Sequence, residues 1–394
     1  MDLEHFVSLA VEQGASDLHL EAGLPPALRV RGTLRIAGEP VAAEVLLAMA
    51  QALVGEQDWT VFTERRSFDM SRVLAGVRCR INVLQTARGV GFAIRLLAKF
   101  QATLERLNLH PDLSRLVGSP HGLILVSGPT GSGKSSTMAA LIQEINQSEA
   151  RHILTIESPI EYVLSPQRAY IRQREVGRDT PSFEQALLDA LREDPDVLMV
   201  GEMRDPETMR LTLNAAETGH LVMGTVHSST CVEALQRVVA AFPSETQNAV
   251  AAQLADCLVG VIAQRLHYRA DLKLRVPECE ILLPNHAVKA HIRNRDFFKI
   301  TSAMETGAEQ GMWTFARYRS WLEKRTQWFI PGATSGETQE FGAADSAGGQ
   351  RLVSGKPGSK LRTLPPAERP AGGRMEIQPV EGGLGKILRK LEEG

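Results

Sequence analysis

Gly128-Pro129-Thr130-Gly131-Ser132-Gly133-Lys134-Ser135 follows the apolar run Leu123-Ile124-Leu125-Val126, and helix-forming residues continue from Ser136 to Asn146. A glycine-rich turn between a buried strand and a helix points backbone N–H groups inward around phosphate oxygens. The helix N-terminus brings positive partial charge to the same place. Within such a loop, Gly128 to Ser136 form the nucleotide-binding segment, Lys134 reaches the β- and γ-phosphates, and the Ser135 hydroxyl holds Mg²⁺. The chemistry this pattern serves is binding and hydrolysis of a nucleoside triphosphate.

Acids with the right placement lie downstream. Pro195-Asp196-Val197-Leu198-Met199-Val200-Gly201-Glu202 reads as a buried strand ending in a carboxylate. On an open parallel sheet, ligands sit at the carboxyl ends of strands, so Glu202 is expected to face the γ-phosphate and polarise the attacking water. The competing reading, a carboxylate that caps the next helix, is better filled by Asp205 in Asp205-Pro206-Glu207. His152 to Glu157 is a second strand of this kind, closed by Pro159; Glu157 is the second candidate acid, with Mg²⁺ bound through water as its role, and Glu161 reads as surface. Leu221 to Val226 reads as a buried strand bracketed by His220 and His227, which puts the histidines at its two ends and not in one metal pair. Each has packing as one reading, and phosphate sensing or subunit coupling as the other.

These groups need elements to position them. The chain has 394 residues, 44 basic and 46 acidic side chains, and a formal charge of -2, so no global basic field points to nucleic acid as the primary partner. Cys79, Cys231, Cys257 and Cys279 are scattered without a Cys-x-x-Cys pair, which argues against a zinc site or a disulfide framework and suits a cytoplasmic setting. No apolar run approaches the roughly 18 residues of a transmembrane helix, so no transmembrane segment is expected.

Residues 1–104 combine an amphipathic opening helix (Phe6, Leu9, Ala10, Val11) with alternating segments such as Ala27 to Arg31 and Val77 to Val83, the texture of a small α+β domain. Residues 105–120 read as an interdomain linker. Residues 121–330 alternate strands and helical segments as a parallel-sheet α/β core does. Residues 331–394 form a low-complexity tail: Pro331 to Arg374 has too few apolar residues to offset ordering entropy, and Leu384 to Leu391 reads either as a docking helix or as a frayed polar end. Arg78, Arg80, Arg88 and Arg95 of the first domain are candidates to reach a nucleotide held by the other domain or by a neighbouring subunit; a solvated strand face is the alternative.

Taken together, Ala15-Ser16-Asp17-Leu18-His19-Leu20 with Gly23-Leu24-Pro25-Pro26, the phosphate loop, the acidic box Thr155 to Glu161, Val200 to Asp205, and Ala216-Glu217-Thr218-Gly219-His220 through His227 closely resemble the secretion and twitching-motility ATPases. Within that family the resemblance is to the PilT-type retraction motors of type IV pili, over roughly residues 3–313. It implies a PAS-like N-terminal domain joined to a RecA-like ATPase core, ATP and Mg²⁺ as cofactors, and a homo-hexamer with ATP held between domains. It further implies a position peripheral to the inner membrane through a pilus platform protein, with a paralogous retraction ATPase as a second candidate partner. By the same resemblance Glu202 is the catalytic glutamate and Glu157 a second active-site acid. His220 and His227 become γ-phosphate or interface residues, and Arg80, Arg88 and Arg95 arginine-finger candidates.

The absence of a four-cysteine insertion and of an extra N-terminal domain favours the retraction type. A motor for pilus extension or type II secretion on the same scaffold is the first alternative, and a nucleotide-binding ring subunit with weak hydrolysis the second. Three features depart from the family pattern: Ser158 where aspartate is usual, His291-Ile292-Arg293-Asn294-Arg295 in place of an Ala-Ile-Arg-Asn-Leu-like motif tied to retraction, and the tail beyond Trp313.

Overall fold

Leu3, Phe6, Val7 and Ala10 recur at helical spacing, and in the computed structural model they form the buried face of the helix Leu3–Glu12, whose first turn is capped by Asp2 accepting from the His5 N–H. The structure describes residues 2–30, 33–97, 102–272, 274–330 and 353–354. That opening helix, with the helices Ala43–Val54 and Glu56–Arg65, packs on a six-stranded antiparallel sheet. Its strands are β1 (Ala15–Leu20), β2 (Ala27–Val30), β3 (Thr33–Ile36), β4 (Ser67–Leu74), β5 (Val77–Thr86) and β6 (Gly89–Leu97), in the spatial order β3-β2-β1-β6-β5-β4. Along β5, Cys79, Ile81 and Val83 are buried while Arg80 between them is exposed, the period-2 pattern of a sheet with one wet face.

The second sheet has seven strands: β7 (Gly122–Ser127), β8 (His152–Glu157), β9 (Tyr170–Glu175), β10 (Val197–Val200), β11 (Leu221–Val226), β12 (Leu258–Arg269) and β13 (Leu274–Leu282). Their order is β13-β12-β7-β11-β10-β8-β9, parallel except for the β12–β13 pair. Every residue of β7, β10 and β11 is buried, as expected of parallel strands covered on both faces. Leu123 and Leu125 face one apolar cluster, and Ile124 and Val126 face the other. The α+β unit followed by a parallel α/β core read from the sequence is therefore the architecture present.

Residues 105–120, read from the sequence as a connection, do more than connect. They contain the turns Pro111–Leu113 and Ser114–Val117, and Leu109, Leu113, Leu116 and Val117 enter the second sheet's core. These apolar positions are too closely spaced to show a helical or strand period. Asn108 closes the far end of the fold by exchanging two hydrogen bonds with the Phe329 backbone. In the tail, Val353–Ser354 (β15) pair with Gln327–Trp328 (β14). The remainder of Pro331 to Arg374, and the Leu384 to Leu391 segment, lie outside the described residues.

Candidate active site

Strand register brings the chemistry to one edge of the second sheet. Ser127 at the end of β7 pairs with Val226 of β11, while Val200 at the end of β10 pairs with both Gly224 of β11 and Ile156 of β8. The residues at or just beyond these strand ends, Gly128, His227, Glu202 and Glu157, therefore emerge side by side. Hydrogen bonds from the Ser127 hydroxyl to the Ser228 carbonyl (2.7 Å) and from the Thr225 hydroxyl to the Gly201 carbonyl (2.6 Å) fasten the strand ends together.

The phosphate loop runs from β7 into the helix Lys134–Ser148. Gly128 has φ 152°, and a Cβ there would stand 2.3 Å from the Gln264 carbonyl oxygen and 2.5 Å from the Ser132 Oγ, so only glycine lets the loop pass this close to β12. Gln264 is the floor of the loop. Its Nε2 donates to the Ser132 carbonyl (2.6 Å), and its Oε1 accepts from the Thr137 hydroxyl (2.6 Å). The Ser132 hydroxyl is buried in the loop without a protein partner, a polar atom that a bound phosphate would satisfy. Lys134 Nζ donates to the carbonyls of Gly128 (2.9 Å) and Pro129 (3.2 Å). Burial pulls its pKa below the ordinary lysine value, against the attraction of Glu202 and Glu161. Glu161, read from sequence as surface, thus lies within the electrostatic reach of the loop.

Glu202 accepts from Arg204 (2.6 Å) at Oε2 and from His227 Nε2 (2.8 Å) at Oε1. The Arg204 hydrogen bond is the main reason its carboxyl sits below the usual range, with burial opposing and His227 assisting, so Glu202 is ionised at neutral pH. It does not serve as a helix cap: Asp205 takes that position for the helix Pro206–Glu217, accepting from the Thr208 N–H (2.8 Å). Glu157 is 6 % exposed and accepts at Oε1 from the Thr155 hydroxyl (2.7 Å) and Gln173 Nε2 (3.0 Å). Burial pushes its carboxyl up despite those donors.

Not every candidate joins this edge. His220 sits at the start of β11, where its ring Nδ1 is within 3.0 Å of the Ala215 carbonyl. A six-residue strand separates it by about 20 Å from the phosphate loop of its own chain. His220 and His227 therefore stand at opposite ends of one strand, and of the two roles expected for His220 the position within one chain leaves the interface role open. Arg80 and Arg95 are exposed on the first sheet and Arg88 in the turn between β5 and β6, and Arg95 holds Asp17 (2.9 Å). Of the four arginines singled out there, Arg78 is the one whose hydrogen bonds, among the described residues, cross to the second sheet. Arg293, in the altered motif, pairs with Asp256.

No group of three or more His, Cys, Asp or Glu among the described residues forms a metal cage. A hydroxyl at the helix start with two acids at neighbouring strand ends fits a different kind of cation, one that arrives with nucleotide phosphates and keeps part of its water shell, as Mg²⁺ does. Sequence reasoning missed Gln264, Gln173 and Glu175. Their partners lie on other elements, and nothing local marks them.

A family model described as type II/IV secretion system protein matches residues 1–319. The chain is 42 % identical over 316 residues to the type IV pilus retraction ATPase PilT of Pseudomonas aeruginosa, covering 80 % of this chain and 92 % of that one. It is 41 % identical over 291 residues to a twitching motility protein of Neisseria gonorrhoeae, covering 73 % and 78 %. Among solved structures it is similar to the pilus retraction motor PilT with bound ADP, at a TM-score of 0.73 and 39 % identity, covering 81 % of this chain and 96 % of that one. Among the described residues no helix is long and apolar enough to cross a membrane.

Proposed function

Since this chain belongs to the type II/IV secretion system protein family, we propose that it is an ATPase motor that couples ATP hydrolysis to type IV pilus retraction. The observation that carries the reading is the convergence at one sheet edge of the phosphate loop, Lys134, the ionised Glu202 and His227.

In the proposed site, loop N–H groups from Gly128 to Ser136 and the helix N-terminus receive the phosphates. Lys134 exchanges its two carbonyl partners for the β- and γ-phosphate oxygens. Glu202 accepts a hydrogen bond from the attacking water and aims it at the γ-phosphorus. As the water oxygen bonds to that phosphorus and its proton passes to the departing phosphate, the bond from phosphorus to the β–γ bridging oxygen breaks, and ADP and phosphate leave. His227 fixes the Glu202 carboxylate from the side opposite Arg204, which must release Oε2 for water to approach. Mg²⁺ would be held by Ser135 and, through water, by Glu157, and supplies neutralisation of phosphate charge.

Arg80 and Arg95, paired across β5 and β6, and Arg88 in the turn between those strands are open to solvent, which suits delivery of an arginine to a neighbour's nucleotide in a homo-hexamer. The proposed work is done peripherally at the inner membrane through a platform protein, with a paralogous ATPase as a further ring partner. Purified protein should hydrolyse ATP only with Mg²⁺, and a deletion strain should lose twitching while gaining surface pili. Loss of pili on deletion would instead assign the chain to extension.

A further inference from the structure

On the edge strand β9, Gln173 and Glu175 are two residues apart and therefore share one face. Gln173 Nε2 donates both to Glu157 and to the Tyr162 carbonyl (2.9 Å), and its Oε1 accepts from the Leu164 N–H (2.9 Å). Glu175, 4 % exposed, accepts from the Ile160 N–H (3.1 Å), from the Ser71 hydroxyl (2.7 Å) and from an Arg78 guanidinium nitrogen (2.8 Å). Arg78 Nε in turn donates to the Ile160 carbonyl (3.2 Å). Ser71 and Arg78 belong to β4 and β5 of the first sheet, while Ile160 lies in the acidic box of the second. Two residues on, the Tyr162 hydroxyl meets the Ser136 hydroxyl (2.7 Å) in the first turn of the phosphate-loop helix.

We propose that Glu175 is a positioning residue: with Arg78 it ties the acidic loop of the nucleotide site to the N-terminal sheet, so that the orientation of that sheet sets the placement of Glu157. This rests on the ATPase reading above. Segment 158–164 is held on one side by Gln173 and Ser136 and on the other by Arg78 and Glu175, so it moves with whichever body moves. The first unit's apolar cluster shares no residue with the two clusters of the second. Joining the units here falls to this polar node, and buried charges in such a node are costly to leave unpaired. A swing of the first sheet draws Glu175 and Ile160 with it. It thereby shifts Gln173, two residues away on the same face of the strand, against Glu157.

The test uses the full chain with Arg78→Met, Glu175→Leu and the double variant, the last removing both charges at near-constant volume so that it folds even if a single variant does not. Each single variant should lower kcat roughly 2- to 30-fold while KM for ATP stays within about twofold, and the double should be no worse than the weaker single. Additive losses, or wild-type kcat in both singles, overturn the proposal. Independently, amide exchange in nucleotide-free protein should accelerate about tenfold across 158–164 in Glu175→Leu, because Ile160 loses its acceptor. Unchanged exchange there overturns the tie whether or not the chain hydrolyses ATP. A wild-type chain without turnover overturns only the motor reading.

Discussion

Acid should weaken this fold measurably through one carboxylate, Glu278 of β13. Its side chain is fully buried, and Arg265 Nε (2.9 Å), Arg319 Nε (3.1 Å) and His267 converge on it. Burial alone would raise its pKa, but the hydrogen bonds from His267, Arg265 and Arg319 outweigh burial and hold it at about 2, against 4.5 for a free glutamate. A carboxyl depressed in the folded state contributes stability that is fully present above its unfolded pKa and is lost as pH falls toward the folded one. The difference corresponds to about 3 kcal/mol in full, of which about 2 kcal/mol is lost between pH 7 and pH 3. The node matters for the site because it clamps β12, β13 and the helix Phe315–Lys324 together, and Gln264 on β12 is the floor of the phosphate loop. Urea unfolding of wild type and Glu278→Gln at both pH values isolates the contribution from that of other acids. The stability gap between the two proteins should narrow by about 2 kcal/mol on going to pH 3. A gap that stays constant would refute the reasoning, since Glu278 would then titrate alike in the folded and unfolded chain.

Gly128→Ala should lower ATP affinity at least tenfold, an estimate set by the strain of φ 152° and the 2.3 Å approach to the Gln264 carbonyl, while leaving the far-ultraviolet spectrum unchanged; a fluorescent-nucleotide titration at wild-type affinity would contradict this. If an arginine completes the site in trans, specific activity should rise with protein concentration. At least one of Arg80→Ala, Arg88→Ala and Arg95→Ala should then cut turnover by roughly 10³-fold with nucleotide affinity retained; concentration-independent turnover by a monomer would exclude such a site. Truncation after Ile330 should leave ATPase activity near normal. The chain end is already held by the Asn108–Phe329 pair, and among the described residues the truncation takes from β14 its two-residue partner β15; loss of turnover would place part of the active fold beyond Ile330.

What could be read from the sequence was what local pattern determines. The phosphate loop, the buried strand Leu221–Val226, the Asp205 cap and the alternation of Val77–Thr86 each depend on neighbours within a few residues, and each is found where its pattern sits. Periodicity also fixed that His220 and His227 occupy opposite ends of one strand. What it left open was which end meets the nucleotide, a question answered by the direction of β7 beside β11. Gln264 reaches the loop from more than a hundred residues away, and Glu175 meets Ser71 and Arg78 across a similar separation. An alternating strand cannot announce such partners. Residues 105–120 were misleading for a related reason: their apolar side chains are irregularly spaced in sequence and converge only once two short turns fold them against the sheet.

The central claim is that Glu202 does the catalytic work of a phosphate loop anchored by Lys134, and single-turnover hydrolysis beside equilibrium ATP binding in Glu202→Gln tests it most directly. The account predicts that this variant binds ATP as wild type does, because Glu202 touches Arg204 and His227 and not the loop backbone, and that its hydrolysis falls by roughly two to three orders of magnitude. Lys134→Ala, measured alongside, should lose binding as well. Hydrolysis by Glu202→Gln at the wild-type rate would contradict the account and remove Glu202 from the reaction.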